Sequence, residues 1–114
     1  MSLLDNIATL QAEVLETADL SPVRASQILV ELTALYFSVT TQLRESEFTY
    51  NVIEAAQTRI EDGIVARGKA KAKLTEEYKA WRTWRDTERT TLELIRSLKV
   101  YMRTQAEEMR LSGG

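Results

Sequence analysis

The sequence predicts an all-α fold, and three observations support this prediction. The chain of 114 residues contains one proline and four glycines, two of which are its last residues. A β-rich fold of this size would need more turn residues. No helix-breaking residue occurs between Pro22 and Gly63, and apolar residues recur at spacings of three and four. This is the spacing of helices that pack along one face, so we predict a single helical domain over residues 1–114.

The composition excludes several kinds of chemistry. The chain has no cysteine and no histidine, which removes disulfides, thiolate nucleophiles, imidazole bases and the usual zinc sites. Its 17 carboxylates are accompanied by no glycine-rich phosphate loop and no serine-centred elbow. We therefore expect no catalytic residue, no metal site and no cofactor, and a protein that is not an enzyme.

The N-terminal residues lack the basic region of a signal peptide, and no apolar run approaches the ~20 residues of a membrane span. Together with the absence of cysteine, this predicts a cytoplasmic protein that does not enter a membrane.

The first helix is predicted at residues 2–19, with Ser2 as its N-cap. Its narrow apolar seam consists of Leu3, Ile7, Leu10 and Val14. Because the helix is short and its other faces are polar, we expect it to be stable only when docked.

A long helix is predicted at residues 22–62, since Ser21 suits the N-cap and Pro22 the first helical position. Its predicted apolar seam runs from Ala25 to Leu43, weakens around Ser46 and resumes at Phe48. A continuous helix and one broken near residue 46 therefore both remain open. A continuous helix would be roughly 60 Å long and would need another long helix to cover its seam.

Residues 63–74 are predicted to form a basic connector. Gly63 suits the left-handed position that ends a helix, and four cations follow without an acid: Arg67, Lys69, Lys71 and Lys73. Thr75 is then expected to cap the last helix, at residues 75–110.

Along this last helix an arginine occurs at every seventh position: Arg82, Arg89, Arg96, Arg103 and Arg110. The five should share one face, which we expect beside the apolar seam. Three of them have a carboxylate four residues later, so weak surface pairs are one interpretation. Arg85, Arg96 and Lys99 lack such support and are better candidates for phosphate contacts, whereas pairing of the stripe with an acidic helix is the other interpretation.

Charge is distributed unevenly along the chain. Residues 1–62 carry three cations and ten acids, and residues 63–114 carry twelve cations and seven acids. This asymmetry predicts either an anionic partner for the C-terminal half or attraction between the halves.

The basic connector and the aromatic residues after it favour binding of single-stranded nucleic acid. Cations neutralise phosphates, and Tyr78, Trp81 and Trp84 would offer stacking surfaces. The other interpretation places both tryptophans in the core. The predicted nucleic-acid site consists of Arg67, Lys69, Lys71, Lys73, Trp81, Arg85, Arg96 and Lys99.

Residues 51–114 also resemble the small helical recombination mediators of tailed phages, the UvsY type. The similar segments are residues 54–57 (Glu-Ala-Ala-Gln) before the basic turn, residues 75–79 (Thr-Glu-Glu-Tyr-Lys), residues 97–99 (Ser-Leu-Lys) and residues 108–110 (Glu-Met-Arg). The resemblance implies an oligomer that binds single-stranded DNA and helps to load a recombinase where single-strand-binding protein is present. It also implies DNA contacts at the basic-turn positions, from Arg67 to Lys73. The acidic N-terminal half departs from that pattern.

We therefore predict an elongated antiparallel helical hairpin of two long helices with a short N-terminal helix, assembled as a homo-oligomer. The expected function is that of a phage DNA recombination accessory protein, acting in the bacterial cytoplasm. The alternative is a helical protein-binding module, either a phage-encoded inhibitor of a host protein or an assembly factor, that acts through its acidic face.

Overall fold

The computed structural model describes residues 2–113 and is all-α, as predicted. Its helices are α1 (Leu3–Glu16), α2 (Pro22–Ile60), α3 (Val65–Ala72) and α4 (Glu76–Ser112), and the described residues contain no strand. Helix α2 passes through Ser46 without a break. The Ser46 hydroxyl donates to the carbonyl oxygen of Leu43 at 3.0 Å, so this polar side chain is accommodated within the helix.

The predicted N-caps are all present. The hydroxyl oxygens of Ser2, Ser21 and Thr75 each accept from the backbone N–H three residues later, at 3.1, 3.1 and 3.3 Å. Each hydroxyl satisfies one of the donors that the first turn of a helix leaves unpaired.

The helix ends differ from the predicted ones. Helix α1 ends at Glu16, where Thr17 becomes extended, and the chain then places Leu20 in the core. Helix α2 ends at Ile60, and both Asp62 (φ 55°) and Gly63 (φ 80°) adopt left-handed conformations. The Gly63 N–H donates to the Thr58 carbonyl at 2.9 Å. A hydrogen bond from an N–H to the carbonyl five residues earlier is typical of a Schellman motif at the C-terminus of a helix. Asp62 occupies the left-handed position that the sequence assigns to Gly63.

The described residues divide into two compact units. The first contains residues up to Ser38 and from Arg89 onward, and it joins α1 to the first part of α2 and the second part of α4. Its core consists of Leu10, Leu20, Ala25, Ile28, Leu32, Leu94, Ile95 and Leu98. The Tyr101 hydroxyl closes this core by donating to the Leu20 carbonyl at 2.6 Å.

The second unit contains residues 39–88. Here Tyr50 of α2 is buried and packs against Tyr78 and Trp81 of α4. Gly68 and Ala72 of α3 are also buried, on one face of that helix.

The seam predicted for α2 is correct from Ala25 to Val39, where Ala25, Ile28, Leu32 and Val39 are buried. In the second half of the helix it is wrong at Phe48, which is 70% exposed, while Tyr50 is buried instead. Tyr50 follows Leu32 by 18 residues, which is five helical turns, so the buried face of the first half continues through Tyr50. Phe48 lies on the other side of the helix.

The described helices include none with the combination of length and apolar character that crossing a membrane requires.

Candidate nucleic-acid interface

The basic connector is a helix, and this arranges its cations. In α3, Gly68 and Ala72 form the buried face. At about 100° per residue, Arg67 and Lys71 lie on one flank of that face, and Lys69 and Lys73 lie on the other. The four cations therefore form two pairs on opposite flanks and do not follow a single line.

Lys71 is held by a neighbouring carboxylate, because its Nζ forms an ion pair with Glu61 at the end of α2. Arg67, Lys69 and Lys73 are exposed, and no ion pair within residues 2–113 involves them. These three side chains can therefore bind a phosphate without first breaking an ion pair with a carboxylate.

The close approach of α3 to α2 depends on Gly68. A Cβ at this position would lie 2.5 Å from Thr58 Cα and 2.6 Å from Thr58 N, which are backbone atoms. Any residue with a Cβ at this position would push α3 away from α2. Glycine therefore permits the contact, and the contact determines where the cations of α3 are displayed.

An aromatic cluster lies in the same unit. The Tyr50 and Trp81 rings stack at 5.2 Å with an interplanar angle of 4°, and Tyr78 lies 5.3 Å from Tyr50 and 5.8 Å from Trp81. The Thr58 contact with Gly68 is eight residues after Tyr50 on α2, or roughly 12 Å along the helix. The cations of α3 and the aromatic cluster therefore belong to the same unit.

Trp81 is partly buried and its ring face is already occupied. Besides Tyr50, the guanidinium of Arg85 lies 4.8 Å from the centre of the Trp81 ring, a cation–π contact. A nucleic-acid base would have to displace one of these groups in order to stack on Trp81. The interpretation of Trp81 as a core residue is therefore closer to its environment than that of an open stacking surface.

Arg85 is also less open than predicted. Its Nε is buried and has no hydrogen-bond partner among the described residues. An acceptor that reached this nitrogen would satisfy a donor that is otherwise costly to bury.

Burial raises the pKa of Tyr50, with further contributions from a hydrogen bond to Glu54, the charge of Glu54 and Tyr78. The same surroundings that desolvate this hydroxyl exclude water from the centre of the aromatic cluster.

The arginine stripe lies in a different place from the one predicted. In the first unit, Thr91, Leu94, Ile95 and Leu98 form the buried face of α4, whereas Arg89, Arg96 and Arg103 are exposed. The seven-residue spacing puts these arginines on the side opposite the core and not on its shoulder. They cannot pair with α2 of their own chain from there.

The predicted surface pairs of the stripe are absent from residues 2–113: no ion pair joins Arg89 to Glu93 or Arg103 to Glu107. Arg96 and Lys99 are likewise exposed without a carboxylate partner in that range. The stripe from Arg89 onward is thus an unpaired cationic surface in the first unit, while Arg82 and the α3 cations belong to the second. The predicted site is divided between the two units.

Folding cancels the charge asymmetry of the sequence. The second unit contains nine cations and nine acids, and the first contains six cations and eight acids. Any attraction for a polyanion must therefore come from the local arrangement of exposed cations and not from net charge.

Sequence reasoning missed Tyr50, the Glu61 to Lys71 ion pair and the contact of Gly68 with Thr58. One signal was present, because Gly68 and Ala72 are small residues four apart, which is typical of a close helix contact. The described residues include no cluster of carboxylates that could hold a metal ion.

Comparison of the chain with models of protein families, with curated proteins and with solved structures finds no match.

Proposed function

We propose that this chain is a non-catalytic accessory protein of phage DNA recombination that binds single-stranded DNA. The observation that carries this proposal is the exposure of Arg67, Lys69 and Lys73 on α3, without carboxylate partners, in the unit that holds the aromatic cluster. Exposed cations without carboxylate partners suit a flexible strand, which can bring successive phosphates to them.

The exposed arginines of α4 would provide a separate contact in the first unit. Arg89, Arg96 and Arg103 follow at intervals of roughly 10 Å along the helix and face away from the core. A polyanion suits such a row, since no ion pair within residues 2–113 involves these arginines.

The partners follow from the resemblance to phage recombination mediators. The protein would act on single-stranded DNA in the host cytoplasm and recruit a recombinase where single-strand-binding protein is already bound. We propose further that α2 and α4 pair as an elongated antiparallel hairpin and that several copies assemble, because avidity would strengthen a weak site on each copy.

The direct test is fluorescence-anisotropy binding to labelled single-stranded and double-stranded oligonucleotides across a salt series. We expect tighter binding to single strands and a steep loss of affinity with salt. The salt slope is the slope of the logarithm of affinity against the logarithm of salt concentration. Changing Arg67, Lys69 and Lys73 to glutamine in one variant should reduce its magnitude by about 2, at roughly 0.7 per phosphate contact on a single strand.

The matched control replaces a cation of the same unit that lies outside α3. Lys79 is exposed and paired with Glu76 at 3.0 Å, so Lys79→Gln should leave the salt slope unchanged. Absence of binding at low salt, or a slope that the triple variant does not alter, would refute the proposal.

A second candidate function is the helical protein-binding module, which a different observation favours. Phe48 is exposed on α2, directly after Glu47 and one turn after Glu45, and both carboxylates are exposed too. Two further carboxylates of this acidic region are already engaged, since Glu61 pairs with Lys71 and Glu54 accepts a hydrogen bond from Tyr50. If this candidate is right, the unmodified chain should capture a host protein and should not bind nucleic acid. Phe48→Ser combined with neutralisation of Glu45 and Glu47 should then abolish that capture.

A further inference from the structure

Helix α2 has a second apolar row, on the side away from the core of the first unit. Val23, Val30 and Phe37 follow one another at intervals of seven residues and are 69%, 68% and 67% exposed. The buried residues of the same segment, Ala25 and Leu32 among them, lie on the opposite side of the helix. We call Val23, Val30 and Phe37 the outer stripe.

The outer stripe is not explained by helix formation or by the core. Valine is β-branched and has a lower helix propensity than most residues, so two exposed valines bring no local advantage. Helix α1 docks on a flank of α2, where Glu13 binds Arg24, and the three side chains of the stripe remain largely exposed. Apolar side chains that recur every seven residues on a helix surface are typical of a surface that packs against another helix.

The charge of this face indicates which helix that is. Ten residues between positions 22 and 38 are exposed, and Glu31 is the one charged residue among them. Glu31 also lies 3.7 Å from Arg24, which compensates its charge. A charged partner helix would find nothing complementary here, whereas a surface without like charges can be placed against itself.

We propose that the outer stripe is a self-association surface, on which α2 of one copy packs against α2 of a second copy. The stripe is symmetric in spacing about Val30. An antiparallel pair therefore puts Val30 against its own counterpart and sets each Val23 opposite the Phe37 of the other copy, a good match in size. This inference gives a surface to the self-association proposed above, and it is independent of nucleic-acid binding.

The test is the mass of the full chain by sedimentation equilibrium over a range of concentrations, without nucleic acid. Three side chains form a small interface, so we expect a dimer that dissociates on dilution. Val30→Lys should shift the sample to monomer at concentrations where the unmodified chain is dimeric. Because Val30 is exposed, the variant should keep its helix content by circular dichroism.

The matched control is Val100→Lys, which introduces the same charge at another exposed valine (57%) of the same unit. It should associate like the unmodified chain. An unmodified chain that is monomeric at all concentrations would overturn the proposal, as would equal masses for both lysine variants. If the unmodified chain is monomeric at all concentrations, the stripe would instead be interpreted as a surface that binds a helix of a different protein.

A crosslinking experiment provides a second readout, because the chain contains no cysteine. Under oxidation, Val30→Cys should form a disulfide-linked dimer much faster than Val100→Cys, since only the former brings two thiols into reach. Equal rates of crosslinking would contradict the proposed contact. A failure of nucleic-acid binding would not affect either result.

Discussion

At the residue scale, one ion pair attaches α1 to α2. Arg24 donates from Nε and from a terminal nitrogen to the two carboxylate oxygens of Glu13, at 2.5 and 2.7 Å. These hydrogen bonds lower the pKa of Glu13 by more than desolvation raises it, and the charge of Arg24 adds a smaller lowering effect. The pKa of Arg24 is raised by the same pair. A short helix that buries only Ile7 and Leu10 depends on such a contact.

The pair predicts a pH dependence of stability. Since the pKa of Glu13 is lower in the folded state than the ordinary 4.5, the pair stabilises the fold above pH 4.5. The stabilisation is lost as the pH falls through the lowered pKa, where the folded protein must bind a proton. In urea unfolding, Glu13→Gln should therefore be less stable than the unmodified chain at neutral pH and approach it at acidic pH. Glu16→Gln, an exposed change on the same helix, is the control, and parallel pH curves for all three proteins would contradict the assignment.

At the element scale, α3 shows how one residue decides where a helix docks. Its cations would be displayed by a helix in any position, but the contact of Gly68 with Thr58 holds α3 against the end of α2. That contact also brings Lys71 to Glu61. The connector is thus a packed helix that directs three cations outward, and we expect the nucleic-acid site to depend on its docking.

Gly68→Ala tests the docking of α3. In an isolated helix this change would be stabilising by about 1 kcal/mol. In the folded chain the new Cβ would meet the Thr58 backbone, so α3 must shift, and we expect a net loss of about 1–3 kcal/mol in the free energy of unfolding. Chemical denaturation measures this quantity. Ala70→Ser, on the exposed side of α3, should change stability by less than about 0.5 kcal/mol, and a stabilised Gly68→Ala variant would show that α3 is not held in this way.

At the scale of the whole molecule, folding redistributes the charge of the chain. The acidic N-terminal half and the basic C-terminal half contribute to both units, and the second unit is neutral by formal charge. Attraction between the halves, one of the two explanations for the asymmetry, is represented in the second unit by the ion pair of Lys71 with Glu61. The arginines on the outside of α4 remain unpaired within the described residues, and they are the cations that this attraction does not explain.

This arrangement predicts that the stripe contributes little to folding. Combined replacement of Arg89, Arg96 and Arg103 by glutamine should leave the free energy of unfolding within about 0.5 kcal/mol per site, because exposed side chains without partners are seldom stabilising. Thermal unfolding followed by circular dichroism is the measurement. Leu98→Ala serves as a positive control, since this leucine is buried in the core and its truncation should cost about 3 kcal/mol. A comparable loss in the arginine variant would instead support pairing of the stripe with an acidic helix.

The sequence by itself determined the all-α fold and the places where α1, α2 and α4 begin. Both rest on local chemistry: apolar spacing, a hydroxyl before the first turn, and proline at the first helical position. It also showed that the cations of residues 67–73 precede the aromatic residues of α4 closely in the chain. These features can be predicted because each involves residues within a few turns of one another.

Only the tertiary structure decided which of the possible faces is buried. Periodicity places Tyr50 on the face of Leu32, five turns earlier, and Phe48 on another face, but it does not show that the aromatic residues of α4 pack against Tyr50. In the same way, the seven-residue spacing of the arginines predicts a stripe, while its location opposite the core depends on where Leu94 and Leu98 pack. Burial is a property of two surfaces in contact, and residues as distant in the chain as Tyr50 and Trp81 acquire that contact only when the helices pack.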